Sequence, residues 1–196
     1  RVEVLRPAGP RLVSVIVPAF NAERWIAETL TSVRAQTHAS IETIVVDDGS
    51  SDATPELAKA SGAVLVRTQG AGPGGARNAG LARARGEFIQ FLDADDLLAT
   101  GKIARQVAAL RESGADVAWE PFHDLVPVPR APNAMFTVGR RIVPDFGADL
   151  AASLLTSRGF VQIGALLIRR SRRTDAVWFA PGREVVEDVR YMVALA

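Results

Sequence analysis

The sequence predicts an α/β fold in which a mainly parallel sheet is flanked by helices. Short β-branched runs alternate with amphipathic segments along the first 119 residues, an alternation that is typical of parallel strand–helix–strand units. The connections are short and rich in Gly, Pro, Asn and Asp, which favour turns and helix starts. Acidic residues recur directly after predicted strands, at the edge where sheets of this class bind ligands.

The predicted strands are β-branched or aromatic runs, and the predicted helices carry apolar residues three and four positions apart. The strands are expected at 12–17, 41–46, 63–66, 88–92 and 115–119. The helices are expected at 22–36, after Asp52, at 76–84 and at 103–110. Thr54 is expected as the N-cap of the second helix, with Pro55 at its first position. A glycine-rich loop is expected at 70–75, before the third helix.

The alternation is expected to end after Trp119. Five prolines interrupt the stretch 120–145, which favours a long irregular connection of the kind that often serves as a lid or binding loop. Beyond it we expect a helix at 149–156, a strand at 163–168, a basic patch from Arg169 to Arg173 and a helix at 185–195.

Composition excludes several classes of function. The 196 residues include no cysteine and two histidines, which excludes disulfide frameworks, zinc fingers and thiol catalysis and argues against a histidine-rich metal site. A net charge of +1 gives no basic field for nucleic acid. No apolar run approaches the roughly 18 residues of a membrane span. A cytoplasmic protein is therefore expected, and because the chain starts at Arg1, it is expected to be a fragment or a processed form.

Asp93 and Asp95 are the main candidates for chemistry. They stand two positions apart after a predicted strand, and extended backbone projects such side chains to the same side. Two neighbouring carboxylates repel each other unless a cation lies between them, and Mg²⁺ or Mn²⁺ prefers oxygen ligands. The alternative is structural: Asp96, before Leu97, would cap a helix. The spacing alone favours neither.

Three other polar segments also have two interpretations. Asp47 and Asp48 are typical of a turn with a helix cap, or of a carboxylate that accepts a hydrogen bond from a ligand. The segment 70–75 formally matches a dinucleotide-binding pattern, but Pro73 interrupts it and no glycine follows the first strand, which argues against a nicotinamide or flavin site. Arg77 would meet a phosphate or an acidic neighbour, or lie exposed on its helix.

Taken together, these motifs resemble the family 2 glycosyltransferases of the GT-A fold. Four of them occur in the family's order: Val13 to Asn21, Ile44 to Asp52, Ala76 to Gly80, and Gly86 to Asp96. The pair Glu187-Asp188 resembles the family's late Glu-Asp motif. The resemblance is dense from Leu12 to about Leu110 and thin until Ile163. It implies a Rossmann-like, mainly parallel sheet with an irregular acceptor-side segment.

The resemblance also implies a role for each matching residue. Asp48 would accept a hydrogen bond from the base of a nucleotide donor, in a pocket lined by Pro18, Ala19, Phe20 and Asn21. Asp93 would hold the ribose or phosphate region, with Arg77 beside it. Asp95 would bind Mn²⁺ or Mg²⁺ against the diphosphate. Asp188 would be the general base, with Glu187 as its neighbour.

The expected function is metal-dependent, inverting transfer of a hexosyl or N-acetylhexosaminyl group from a nucleotide-diphosphate sugar, with UDP as the expected nucleotide. The acceptor would be a hydroxyl of a glycan, a lipid-linked sugar or a small molecule, and the basic patch and the segment 120–145 would help select it. A membrane-peripheral location stays open. The main alternative is a non-catalytic module that binds sugar nucleotides or glycans. A nucleotidyltransferase ranks last, because no lysine-bearing glycine-rich loop follows the first strand.

The domain organisation expected from this resemblance is an N-terminal extension at 1–11 followed by one domain at 12–196. Residues 12–119 would form the nucleotide-sugar half and 120–196 the acceptor-side half. The chain stops eight residues after Asp188 and carries no Gln-x-x-Arg-Trp motif of processive synthases. We therefore expect the acceptor-side half to be truncated.

Overall fold

A computed structural model describes residues 11–127, 136–142, 162–170 and Phe179. In these ranges strands and helices alternate as far as β5, and only strands and a short turn follow. The elements are β1 (Val13–Ala19), α1 (Ile26–Arg34), β2 (Ile41–Asp47), α2 (Thr54–Ala60), β3 (Val64–Arg67), α3 (Gly72–Arg83), β4 (Phe88–Phe91), α4 (Lys102–Ser113), β5 (Val117–Trp119), β6 (Phe122–Pro127), β7 (Phe136–Ile142), a 3₁₀ turn (Ile163–Ala165) and β8 (Leu166–Arg169). None of the helices in these ranges has the length and apolar content needed to cross a membrane.

The main sheet has six strands in the order β3-β2-β1-β4-β8-β5. β1 pairs in parallel with both β2 and β4, and β2 pairs in parallel with β3. β8 is antiparallel to β4 and to β5. The predicted mainly parallel α/β fold is confirmed. The connection from β1 leads to β2 on one side of it, and the connection from β3 crosses to β4 on the other side, so a crevice forms beyond the carboxyl end of β1.

The core is built around β1, which is buried on both faces. Val13, Val15, Ile16 and Val17 are all 0% exposed, as expected for a central parallel strand covered by helices on both sides. Odd-numbered residues of β1 pack in one cluster with α1 and α4, and Ile16 packs in the other with α3. A Cβ on Gly80 of α3 would stand 2.3 Å from Ile16 Cγ2, so α3 lies on the sheet at a distance that only glycine permits.

The glycine-rich segment expected as a loop forms the first turn of α3 instead, since that helix begins at Gly72. The backbone N–H groups of Ala71 and Gly72 each donate to the Asp48 carboxylate at 2.8 Å. Pro73 suits a first turn, because its missing N–H would have no intrahelical acceptor there. The long-range contact to Asp48 explains why local composition alone predicted a later start.

The expected N-cap of α2 is wrong by one residue. Ala53 holds the cap position and Thr54 is the first helical residue. The Asp52 carboxylate accepts the Thr54 N–H at 3.0 Å, so a neighbouring side chain supplies the acceptor that the cap would have supplied. The Thr54 hydroxyl accepts the backbone N–H of Ala22 at 2.8 Å instead.

The irregular connection predicted over 120–145 is also partly wrong. β6 and β7 pair antiparallel as a separate two-stranded sheet, with Pro127 opposite Phe136. Of the five prolines, only Pro127 lies within β6 or β7, and it is the last residue of β6. The prolines therefore did not prevent strand formation. The helices expected at 149–156 and 185–195 lie outside the described residues.

Lys102, at the start of α4, is buried in the core. Lys102 is 7% exposed. Its Nζ donates to Gln90 Oε1 at 2.5 Å and to Gln106 Oε1 at 2.6 Å. Burial, which disfavours the charged form, lowers the pKa of Lys102 from 10.5 to about 7, against an opposing effect of the Glu120 charge. This ammonium group therefore opposes folding at neutral pH.

We predict that the stability contributed by Lys102 rises with pH. Between pH 7 and 10.5 the unfolded chain keeps a proton on Lys102 that the folded protein has lost, so the free energy of unfolding increases across that window. Relative to Lys102→Met, the native protein should gain about 2 kcal/mol between pH 7 and pH 9. Urea unfolding at the two pH values measures this difference.

Lys59→Met is the matched control for that measurement, because Lys59 is the chain's only other lysine and is exposed. It should leave the pH dependence of the native protein unchanged. Equal pH slopes for the native protein and Lys102→Met would contradict the prediction.

Candidate functional site

A cleft of about 620 Å³ opens where β1, β2 and β4 end. Its lining includes the eight predicted site residues that the structure describes, which are Pro18, Ala19, Phe20, Asn21, Asp48, Arg77, Asp93 and Asp95. They come from three strand ends and from α3. The ninth, Asp188, lies with Glu187 outside the described residues. The volume is in the range of pockets that bind small molecules and cofactors.

The loop after β1 is fixed in place by the loop after β2. Asn21 adopts a left-handed backbone conformation with φ 49°, which asparagine tolerates better than most residues. Its backbone N–H donates to Ser50 Oγ at 2.9 Å, and its Oδ1 accepts the backbone N–H of Ser51 at 2.9 Å. Phe20, just before it, is 61% exposed at the cleft. A rigid loop therefore presents an uncovered aromatic ring to a ligand.

Asp48 has a structural role in addition to its place in the cleft. Its carboxylate accepts hydrogen bonds from Thr68 Oγ1 and from the backbone N–H groups of Ala71 and Gly72, all at 2.8 Å. A negative charge at this position complements the N-terminal end of α3. The local cap expected from Asp48 on the helix that follows it is not formed; the carboxylate instead accepts hydrogen bonds from the start of α3.

Arg77 pairs with Asp93 at the edge of the cleft. Its Nη2 lies 2.7 Å from Asp93 Oδ1, and its guanidinium stands 5.4 Å from the ring centre of Phe179. The arginine is 3% exposed, which excludes the exposed-helix interpretation. Its buried charge holds the Asp93 carboxylate in one orientation.

Asp95 and Asp96 complete an acidic cluster with Asp93. Asp95 is exposed and Asp96 is half-buried. Burial and, to a smaller extent, the charges of Asp93 and Asp95 raise the pKa of Asp96 to about 7, although a hydrogen bond from Gln162 acts in the opposite direction. Asp96 does not cap a helix, because α4 begins six residues later, at Lys102. The capping interpretation of this residue is wrong.

The acidic cluster suits a divalent cation only if the ligand supplies further oxygens. Within the described ranges, no three His, Cys, Asp or Glu side chains are grouped to hold a metal by themselves. Mg²⁺ is commonly bound by one or two carboxylates together with substrate phosphates. The exposed carboxylate of Asp95, beside the negative charge of Asp93, meets that requirement and a cation would reduce their mutual repulsion.

Two contacts near the cleft had no signal in the sequence. Gln162 donates to Asp96 across 66 positions of the chain. Asn78 exchanges two hydrogen bonds of 2.9 Å with the backbone of Phe179, 101 positions away. Both tie the second half of the chain to the acidic cluster or to α3, and no local motif encodes such pairings.

The described part of the basic patch lies at the other edge of the sheet. Arg169 pairs with Phe88, at the start of β4, whereas the cleft is at its end. The Arg170 guanidinium donates to the Ala84 carbonyl at 2.7 Å. These two arginines therefore give no support to the hypothesis that the patch selects the acceptor. Arg172 and Arg173 lie outside the described residues.

Comparison with known proteins places these features in one family. Residues 14–124, more than half of the chain, match the family described as Glycosyl transferase family 2. A relative from Escherichia coli, UDP-Glc:alpha-D-GlcNAc-diphosphoundecaprenol beta-1,3-glucosyltransferase WfgD, is 40% identical over 103 residues, which cover 50% of this chain and 41% of WfgD. The chain spans less than half the length of the curated relatives it matches.

Solved structures agree with the fold. TarS of S. aureus in complex with UDP-GlcNAc has a TM-score of 0.70 at 24% identity, over 94% of this chain and 53% of TarS. The mannosyltransferase PcManGT from Pyrobaculum calidifontis, in complex with GDP-Man and Mn²⁺, has a TM-score of 0.61 at 25% identity, over 88% of this chain and 48% of PcManGT. The GT-A fold and the glycosyltransferase family predicted from the motifs are both confirmed, and the chain belongs to glycosyl transferase family 2.

Proposed function

We propose that the chain is the core of a metal-dependent, inverting glycosyltransferase. It would transfer a hexosyl or N-acetylhexosaminyl group from a nucleotide-diphosphate sugar to an acceptor hydroxyl. The observation that carries the proposal is the acidic cluster at the cleft: Asp95 is exposed beside Asp93, and Arg77 holds Asp93 in place. This arrangement suits a diphosphate that arrives with a divalent cation.

The nucleotide would bind along the ends of β1 and β2. Pro18, Ala19, Phe20 and Asn21 would surround the base, and the exposed ring of Phe20 gives it an apolar contact. Asp48 would accept a hydrogen bond from the base. The three hydrogen bonds that Asp48 already accepts set the direction of its carboxylate, so little ordering is needed on binding.

The diphosphate end would lie at the acidic cluster. Asp95, next to Asp93, would hold Mn²⁺ or Mg²⁺, which stabilises the charge that develops on the departing diphosphate. Arg77 keeps Asp93 in one orientation toward the ribose or phosphate region. We propose a UDP-sugar as the donor because the name of the relative WfgD specifies UDP-Glc. The Mn²⁺ in the PcManGT complex supports a divalent cation.

Asp188 would act on the acceptor. Its carboxylate would take the proton of the acceptor hydroxyl as the oxygen attacks the anomeric carbon. The glycosidic oxygen–carbon bond forms as the bond to the diphosphate breaks, so one displacement inverts the configuration. A glycan, a lipid-linked sugar or a small molecule would supply the hydroxyl, and a cytoplasmic location belongs to the same proposal.

We further propose a single domain over 12–196. β8 comes from the second half of the chain but lies between β4 and β5 in the main sheet. The nucleotide-sugar half at 12–119 therefore shares its sheet with the acceptor-side half at 120–196, and neither is expected to fold without the other.

Asp95→Asn should weaken metal-dependent nucleotide binding. We expect UDP to bind at least tenfold more weakly to this variant when Mn²⁺ is present, with little change when Mn²⁺ is absent, because the variant loses a charged oxygen ligand. Titration calorimetry with UDP, with and without MnCl₂, measures both values. Asp116→Asn, next to β5 at the opposite edge of the sheet, is the control. Equal Mn²⁺ dependence in Asp95→Asn and the native protein would exclude Asp95 as a ligand.

Asp188→Asn should abolish turnover while UDP still binds. We expect UDP release from UDP-glucose or UDP-N-acetylglucosamine, assayed with a panel of acceptors, to fall about 100-fold or more, since a general base contributes at least that much. Glu112→Gln, at an exposed position of α4 away from the cleft, is the control and should keep the native activity. Unchanged turnover in Asp188→Asn would remove the base assignment. Saturable UDP binding with no turnover in the native protein would favour the non-catalytic module.

A further inference from the structure

A buried polar network connects α4 to the second half of the chain. At its centre is Lys102, which donates to Gln90 Oε1 on β4 and to Gln106 Oε1 on α4, at 2.5 and 2.6 Å. Gln90 is 0% exposed and Gln106 is 1% exposed. No bulk water can replace these contacts, so each polar atom depends on its protein partner.

Lys102 determines which way the two amides face. Lys102 donates through two of its N–H groups, which the charged and the neutral amine both carry, so each glutamine must turn its oxygen toward it. The amide nitrogens then point away, and they donate to two consecutive backbone carbonyls: Gln90 to Gly164 at 2.9 Å and Gln106 to Ala165 at 2.8 Å. If either amide flipped, its oxygen would face a carbonyl oxygen and the hydrogen bond would be lost.

Those two carbonyls belong to the 3₁₀ turn Ile163–Ala165, which adjoins the acidic cluster. Gln162 immediately precedes the turn, and its carbonyl accepts the Ala165 N–H at 2.8 Å. The Gln162 side chain donates to Asp96. The contacts therefore run without a break from the buried ammonium, through two amides and one turn, to a carboxylate beside Asp95.

We propose that Lys102 is a positioning residue for the acidic cluster: by orienting Gln90 and Gln106, it holds the turn Ile163–Ala165, and with it Gln162, against Asp96. This inference rests on the proposed function, because the position of Asp96 matters for catalysis only if the cluster receives the diphosphate and its metal.

The cost of burying this lysine supports a role beyond packing. In the described residues, the charged groups that act on it are Glu120, which attracts it, and Arg105, which repels it. Glu120 and Arg105 pair with each other at 2.8 Å, so neither is dedicated to Lys102. Replacing a buried charge by an apolar side chain of similar size is often neutral or stabilising. If Lys102 served only to fill space in the core, a methionine at position 102 would serve equally well.

Hydrogen exchange of Lys102→Met tests the network without any assay of activity. We expect amide exchange in residues 162–170 to accelerate at least tenfold, while β1 keeps its protection. Lys59→Met, at the only other lysine, should match the native protein in both segments. Unchanged exchange in residues 162–170 would overturn the proposal, because it would mean that Lys102 is not coupled to the turn. Equal acceleration in β1 would also overturn it, because the variant would then be destabilised throughout.

Gln106→Glu provides a second variant in case Lys102→Met does not fold. A glutamate keeps an acceptor for Lys102 but has no N–H to donate to the Ala165 carbonyl. We expect the same local acceleration in residues 162–170. Protection equal to that of the native protein would show that the donor to the turn does not matter, and would overturn the proposal.

A kinetic measurement separates positioning from donor binding. With Mn²⁺ and UDP-N-acetylglucosamine or UDP-glucose, both variants should lower kcat about tenfold and leave KM for the donor within twofold of the native value. Unchanged kcat, or a rise in KM that accounts for the whole loss, would overturn the role in catalysis. If the native protein neither binds UDP nor turns it over, the proposed function fails, whereas the exchange experiment still decides whether Lys102 holds the turn.

Discussion

The cleft depends on one constraint, the parallel pairing of β1 with β2 on one side and β4 on the other. Parallel neighbours finish at the same edge, so loops that are far apart in sequence meet there. β1 can hold this position because all of its residues except Pro18 are buried and all except Ser14 are apolar, and because α3 approaches it closely at Gly80. The carboxylates of Asp48, Asp93 and Asp95 follow the strand ends, where the crevice opens.

At that edge, the charges are balanced within the protein in different ways. The charge of Asp48 is balanced by the backbone N–H groups at the start of α3, and the charge of Asp93 is balanced by its ion pair with the buried Arg77. Asp95 has an exposed side chain and Asp96 has a raised pKa. The cluster therefore has an excess of negative charge on the side that faces the cleft. In the proposed function, this difference in charge would set the direction in which a nucleotide with a metal-bound diphosphate binds.

The second half of the chain is joined to the first by polar contacts as well as by packing. β8 enters the main sheet between β4 and β5, and the turn before it is held by the amides of Gln90 and Gln106. Asn78 holds the backbone of Phe179, whose ring packs edge-on against Phe91 at 5.2 Å between ring centres. These contacts converge on β4 and α3, the elements that also carry Asp93 and Arg77. The elements next to Asp93 and Arg77 therefore also hold the second half of the chain in place.

The amino-acid sequence by itself determined the alternation of strands and helices and the acidic residues at the strand ends, because periodicity and turn chemistry act over a few residues. Those signals predicted β1 to β5 closely, and together with the family resemblance they identified eight of the fifteen residues that line the cleft. Prolines misled the prediction at β6 and β7, because all of them except Pro127 stand outside these strands, and a proline count over 120–145 does not show where a strand fits between them. Only the tertiary structure decided that Asp48 caps α3, that Gln162 reaches Asp96 across 66 positions, and that Lys102 is buried between two amides. These pairings depend on the order of strands in the sheet, which brings distant segments together and leaves no periodic trace in the sequence.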